Sequence, residues 1–128
     1  MWSLEKLNKK KLEGWSHLLL NHEAQISLAR QLIHKIPSGT KTLITHNEGL
    51  NLFFAGSIAQ HFNLSVIILK DLKNQKSIKD KSSAFYFVDE LKSESLLDQL
   101  DPDIQHLLCI SNLVDSSTND SKKVISLF

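Results

Sequence analysis

Cysteine is almost absent from this chain, and Cys109 is the only one. A lone thiol excludes an internal disulfide framework and a cysteine-rich zinc site. Set in Leu107-Leu108-Cys109-Ile110, it reads as a buried strand residue and not as a nucleophile. No apolar run approaches the roughly 20 residues that a membrane helix needs, and the N-terminus carries no apolar signal segment. An excess of one charge is missing as well. Fifteen Lys and Arg stand against 14 Asp and Glu, a net charge of +1, so no global field draws the chain to nucleic acid or to an anionic membrane. The six histidines include no H-x-x-x-H or H-E-x-x-H pair, so no metal site is expected. The signatures G-x-x-x-x-G-K-[ST], G-x-G-x-x-G and G-x-S-x-G are absent too. Ser38-Gly39-Thr40-Lys41-Thr42 has the letters of a phosphate loop, but it precedes a strand and not a helix. A disulfide-free chain without membrane or secretion signals is expected to be cytoplasmic.

What is present suits one ordinary domain. The 128 residues, 41% hydrophobic and 23% charged, are enough to bury a core. Residues 41–70 organise the rest. Leu43-Ile44-Thr45 is a short run of strand formers, and His46-Asn47-Glu48-Gly49 is a polar break. Leu52, Ala55, Ile58, Ala59 and Phe62 follow at helical spacing, and Val66-Ile67-Ile68-Leu69 has the composition of a buried strand. Strand, turn, helix and strand make a βαβ unit, and its first turn is where such folds commonly bind ligands.

Residues 1–14 interleave Lys6, Lys9, Lys10 and Lys11 with Leu4, Leu7 and Leu12, and Trp2 and Trp15 bracket them. Two readings stand. One is an arm that docks on a protein partner through Trp2, Leu4 and Leu7, ahead of a single α/β domain over residues 15–128. The other is a first helix whose tryptophans pack on their own domain. Residues 23–36 predict a helix with Ile26, Ala29, Ile33 and Ile36 on one face, stopped by Pro37-Ser38-Gly39. Residues 70–83 hold Lys70, Lys73, Lys76, Lys79 and Lys81 with little apolar content, and an exposed loop is expected. Residues 84–88, AFYFV, read as an aromatic strand that ends at Asp89-Glu90. Residues 93–100 read as a helix with Leu96, Leu97 and Leu100 inward, stopped by Asp101-Pro102-Asp103. Residues 106–110 read as an apolar, central strand, and 124–128 as an edge strand or the apolar side of a last helix. This order predicts a three-layer, Rossmann-like α/β domain with a mostly parallel sheet of about 4–5 strands.

Ligands in such sheets sit at the carboxyl ends of the strands. Three segments converge there: the turn from His46 to Gly49, the lysine-rich loop, and residues 111–121. The last is dense in hydroxyl and amide side chains, which suit either a phosphate cradle or ordinary turn chemistry. His46 with Glu48 reads as an acid–base pair, or as a polar turn that caps the next helix through Asn47 or Glu48.

Residues 107–128 resemble the strand, phosphoribosyl-diphosphate loop and helix of type I phosphoribosyltransferases. In that family a hydrophobic strand leads into two acidic residues, two apolar residues, an Asp or Ala, Thr-Gly and a Thr. Ser111, Asn112, Leu113, Val114, Asp115, Ser116, Ser117 and Thr118 hold the corresponding positions here. The resemblance implies that Asp115 is a general base and that Ser116, Ser117 and Thr118 hold phosphate. It also implies that residues 70–83 cover the site. The family's acidic pair contacts the ribose hydroxyls of the donor and helps to hold magnesium. Ser111-Asn112 in its place, with no loop glycine, implies a degenerate relative. The N-terminal tryptophans also look similar to the arm of small Rossmann-like subunits such as the psi subunit of bacterial DNA polymerase III. Thr45-His46-Asn47-Glu48-Gly49 is similar to the phosphate-proximal turn of serine-racemase-type pyridoxal-phosphate enzymes, but Lys41 is misplaced for their Schiff base.

The function expected from these readings is a non-catalytic binding or adaptor domain with a protein partner, no cofactor and no metal. The enzyme alternative is transfer from phosphoribosyl diphosphate with magnesium, through Asp115. A further alternative is an accessory subunit of a DNA replication complex.

Overall fold

Two apolar runs, one of them rich in aromatics, decide the centre of the sheet. A parallel strand covered on both faces needs a nearly continuous apolar sequence, and AFYFV and LLCI supply it. In the computed structural model, which describes residues 1–70, 80–114 and 122–128, these runs lie in β3 (Ala84–Leu91) and β4 (His106–Asn112). Around them stand β1 (Thr42–His46), β2 (Ser65–Leu69) and β5 (Lys123–Ser126). All five strands are parallel, in the order β2-β1-β3-β4-β5. The helices are α1 (Leu4–Glu13), α2 (Ser16–Leu19), α3 (His22–Ile33), α4 (Asn51–Phe62) and α5 (Glu94–Gln99). A 3-10 turn, Lys81–Ser83, leads into β3.

The sheet separates two cores. Phe85, Phe87, Leu108 and Ile110 face Leu7 of α1, Leu28 and Leu32 of α3, and Phe54 and Ile58 of α4. Tyr86, Val88, Leu107 and Cys109 face Leu97 of α5, with Leu100 and Ile104 after it. Phe85 and Phe87 are fully buried, so truncating either to Ala costs about 3–5 kcal/mol. The three-layer α/β domain and the parallel sheet agree with the sequence reading. Residues 124–128 resolve toward the strand alternative. Beyond β5, Phe128 donates its N–H to Ile110 O at 3.0 Å and accepts from Asn112 N–H at 2.9 Å, which prolongs the pairing with β4.

The structure corrects details in four elements. In α3 the buried face is Ala24, Ser27, Leu28, Ala29 and Leu32, and the expected Ile33 is 40% exposed. The helix also stops three residues before Ile36. In α4 the buried set is Asn51, Phe54, Ala55, Ile58 and Ala59, so Phe54 takes the inward place expected for Leu52. Val66 and Ile68 are not a buried pair, because β2 is an edge strand whose outer flank no described element covers. Last, β3 does not end before the acidic pair but carries Asp89 and Glu90 within it.

The N-terminal residues fold back on the domain. Ser3 caps α1 by accepting from Lys6 N–H at 3.2 Å, and Asn21 caps α3 by accepting from Ala24 N–H at 3.0 Å. Trp2 donates its backbone N–H to Ser27 Oγ at 2.9 Å. Leu7 is fully buried in the core on the α3–α4 side. That corrects the expectation that Leu7 meets a partner, since an apolar side chain with no water to shed gains nothing from a second surface. Trp2 is partly covered by the same core, and Leu4 is 38% exposed.

Candidate functional site

The strand order reverses between β1 and β3. From β1 the chain crosses to β2 on one side, and it returns to β3 on the other. The connections therefore splay apart at the carboxyl ends of these two strands, leaving a crevice. A cavity of about 460 Å³ occupies that place, within the size range of small-molecule sites. The end of β1 contributes His46 and the turn after it Glu48 and Gly49; β3 contributes Asp89 and Glu90; the entry to α5 contributes Lys92, Ser93 and Ser95.

Asn51 fastens the two walls. It is 2% exposed, its Nδ2 donates to His46 O at 3.3 Å, and its Oδ1 accepts from Asp89 N–H at 2.8 Å. Both ends of its amide are thereby satisfied, which a buried amide requires. Asp89 closes the same loop. Its Oδ2 accepts from Leu50 N–H at 3.0 Å and its Oδ1 from Glu90 N–H at 2.6 Å. A carboxylate at the first turn of α4 meets an orphan N–H and the positive end of the helix dipole. Neither Asn47 nor Glu48 is the side chain that takes up Leu50 N–H, as the capping alternative expected. Glu48 turns instead to His46, with 2.8 Å between Oε2 and Nε2. His46 is mostly enclosed at 12% side-chain exposure while Glu48 is 73% exposed, so the pair stands at the mouth of the cleft.

Val88 and Leu91 lie three apart yet pack in the same core, so the in–out alternation of β3 slips across Asp89 and Glu90. Both carboxylates consequently reach the opposite side. Glu90 Oε1 accepts from Trp15 Nε1 at 2.9 Å, and Trp15 packs on Phe54 with ring centroids 5.5 Å apart. On the far wall Ser93 caps α5, its Oγ accepting from Ser95 N–H at 3.2 Å and lying 2.7 Å from Ser95 Oγ.

Asp115, Ser116, Ser117 and Thr118, the candidate base and phosphate ligands, lie outside the described residues, as does most of the lysine loop, 71–79. Ser111 and Asn112 end β4. Ser111 is 3% exposed and accepts from Lys11 Nζ at 3.2 Å, while Asn112 Oδ1 accepts from Val114 N–H at 3.1 Å. Burial pushes the Cys109 thiol up to about 12, offset in part by a backbone bond with Leu91, which suits an inert core residue. Among the described residues no three His, Cys, Asp or Glu side chains group as metal ligands. No described helix is long and apolar enough to cross a membrane.

The residues missed on the sequence are Asp89 and Glu90 with Ser93 and Ser95. Their signal was present: AFYFV followed by Asp-Glu is a hydrophobic strand leading into an acidic pair. At the end of β4 the corresponding letters are Ser111-Asn112.

No protein-family model matches the sequence, and no curated protein matches it. The structure is similar to the crystal structure of adenine phosphoribosyltransferase from Thermoanaerobacter pseudethanolicus. The TM-score is 0.61 at 14% identity, over 89% of this chain and 85% of that one. Parallel sheet, helices on both faces and this likeness together give the chain a type I phosphoribosyltransferase-like fold.

Proposed function

We propose that this chain is a binding domain for a phosphorylated ribose, held in the cleft between β1 and β3, and that it does not transfer the ribosyl group. The observation that carries the reading is the acidic pair Asp89-Glu90 at the carboxyl end of β3, beside a cavity at the point where the strand order reverses. Carboxylates accept hydrogen bonds from neighbouring sugar hydroxyls, the role that the resemblance implies for the family's pair. His46 and Lys92 supply donors, and Ser93 and Ser95 hydroxyls, for phosphate oxygens.

Binding without transfer is favoured by the turn after the pair. Lys92 alone separates Leu91 from the capping Ser93, and no glycine is present there to let backbone N–H groups approach a phosphate closely. Calorimetry with 5-phosphoribosyl 1-diphosphate and magnesium tests the reading. Saturable binding that weakens in His46→Ala is expected, with pyrophosphate release at the background rate. No heat at millimolar ligand refutes the proposal, and steady pyrophosphate release moves the chain to the enzyme reading.

A protein-contact role is the second reading. Leu12 of α1 is 74% exposed, and Leu20, just past α2, is 88% exposed. The double variant Leu12→Ser, Leu20→Ser changes stability little, within about 0.5 kcal/mol per exposed site. It should lose any protein that co-purifies with the wild type. A wild type that elutes alone at its monomer size counts against this role.

A further inference from the structure

Trp15 stands outside the α/β core in sequence yet touches the acidic pair. Gly14 makes this possible. At φ +145°, a backbone angle that side-chain-bearing residues rarely adopt, it ends α1 with its N–H shared between Lys10 O and Lys11 O. The chain then turns into α2 with Trp15 at the bend. The indole lies on Phe54 of α4, and Lys11 Nζ stands 5.8 Å from its ring centre. Lys11 also reaches Ser111 at the end of β4. The first two helices thus lean on the carboxyl ends of β3 and β4, and their polar contact with the cleft wall is the bond from Trp15 Nε1 to Glu90 Oε1.

We infer that Trp15 is a positioning residue for ligand binding: its N–H fixes one oxygen of Glu90 and turns Oε2 toward the cleft to receive a sugar hydroxyl. The inference rests on the reading of that cleft as a ribose-phosphate site. A flexible glutamate at a cleft edge loses rotamer freedom when it binds. The indole, braced by Phe54, removes that loss in advance, which is preorganisation in its simplest form. Phenylalanine in place of Trp15 keeps a ring on Phe54 and removes only the donor.

The test is a double-mutant cycle on the full chain, with 5-phosphoribosyl 1-diphosphate and magnesium as the probe, each variant first checked for an unchanged thermal transition. Trp15→Phe should weaken binding about tenfold, the scale of one hydrogen bond to a charged group. In the Glu90→Ala background the same change should cost less than about twofold, because no side-chain oxygen is left for the indole to position. Equal losses in both backgrounds mean that the ring merely packs, and they overturn the inference while the cleft reading survives. A wild type that binds nothing overturns the cleft reading and this role together. A ligand-free measurement covers the case in which Trp15→Phe fails to fold. With Trp2 replaced by Phe, the emission of Trp15 should shift on Glu90→Ala, which removes the acceptor, and an unshifted spectrum denies the bond itself.

Discussion

Adding one methyl group at two glycines should move stability in opposite directions. Gly49 has φ +54°, and a Cβ built there would stand 3.1 Å from Asp89 Oδ2. Alanine at that position bears the cost of the left-handed region, about 1–2 kcal/mol, and it presses on the carboxylate that receives Leu50 N–H. Weakening that cap adds a further loss of about 0.5–1 kcal/mol. Gly49→Ala should therefore destabilise by about 2 kcal/mol. At roughly 4 °C for each kcal/mol in a domain of this length, Tm falls by roughly 8 °C. Gly56 lies inside α4 with no atom within 4 Å of its built Cβ. Gly56→Ala should stabilise by about 0.5–1 kcal/mol, because alanine has less backbone freedom to lose. Thermal unfolding of both variants beside the wild type is the assay. A third protein sharpens it: in Asp89→Ala the side-chain obstacle is gone, so Gly49→Ala should cost less there, leaving mainly the backbone contribution. If Gly49→Ala is neutral while Gly56→Ala behaves as described, the close approach of the β1–α4 turn to Asp89 is wrong, and with it the geometry of the cleft.

Other expectations concern the opposite end of the sheet. Tyr86 Oη accepts from Asp101 N–H at 2.9 Å, and burial, ahead of the Asp101 charge, pushes its hydroxyl up to about 12; Tyr86→Phe should cost about 1–2 kcal/mol in urea unfolding by leaving that N–H without its acceptor. Burial works to raise the Asp101 carboxyl, but Lys81 Nζ at 2.7 Å, with the Asp103 N–H and the Lys122 charge, holds it below the ordinary range. A depressed carboxyl stabilises fully above its unfolded value of about 3.9 and loses that contribution as pH falls through its folded value. Asp101→Asn should accordingly flatten the decline in urea midpoint between pH 5 and pH 2, and an unchanged slope would contradict the pairing. Cys109 should stay unreactive toward a thiol reagent at pH 8 and react fully once the chain is denatured. Its raised value leaves stability untouched below about pH 8.5, and lowers it as pH climbs from there toward 12.

Local patterns carried the fold because they rest on local physics. Apolar runs such as 84–88 and 106–110 cannot be left in water, and Pro37 and Pro102 cannot continue a helix, so strand and helix existence could be read directly. Helix faces were less secure, since α3 offers two overlapping stripes, one through Ile26 and Ile33 and one through Leu28 and Leu32. Only the neighbour settles which is inside, and here it is Leu28 and Leu32. The same holds for Val66 and Ile68. Their composition says buried, but their position at the sheet edge leaves them exposed.

The acidic pair shows the division most clearly. Asp89-Glu90 was visible as letters at the end of a strand, yet its partners lie far along the chain: Leu50 N–H and Asn51 for Asp89, and Trp15 for Glu90. Residue type and spacing prescribe a parallel α/β sheet, because hydrophobic periodicity, turn chemistry and right-handed crossovers are short-range rules. Which strand ends meet at the reversal of order, and therefore where a cleft opens, depends on contacts between segments 38 to 75 residues apart. Such contacts leave no periodic trace in the sequence. The tertiary structure alone brings the His46 turn, the acidic pair and Trp15 to one edge of the sheet.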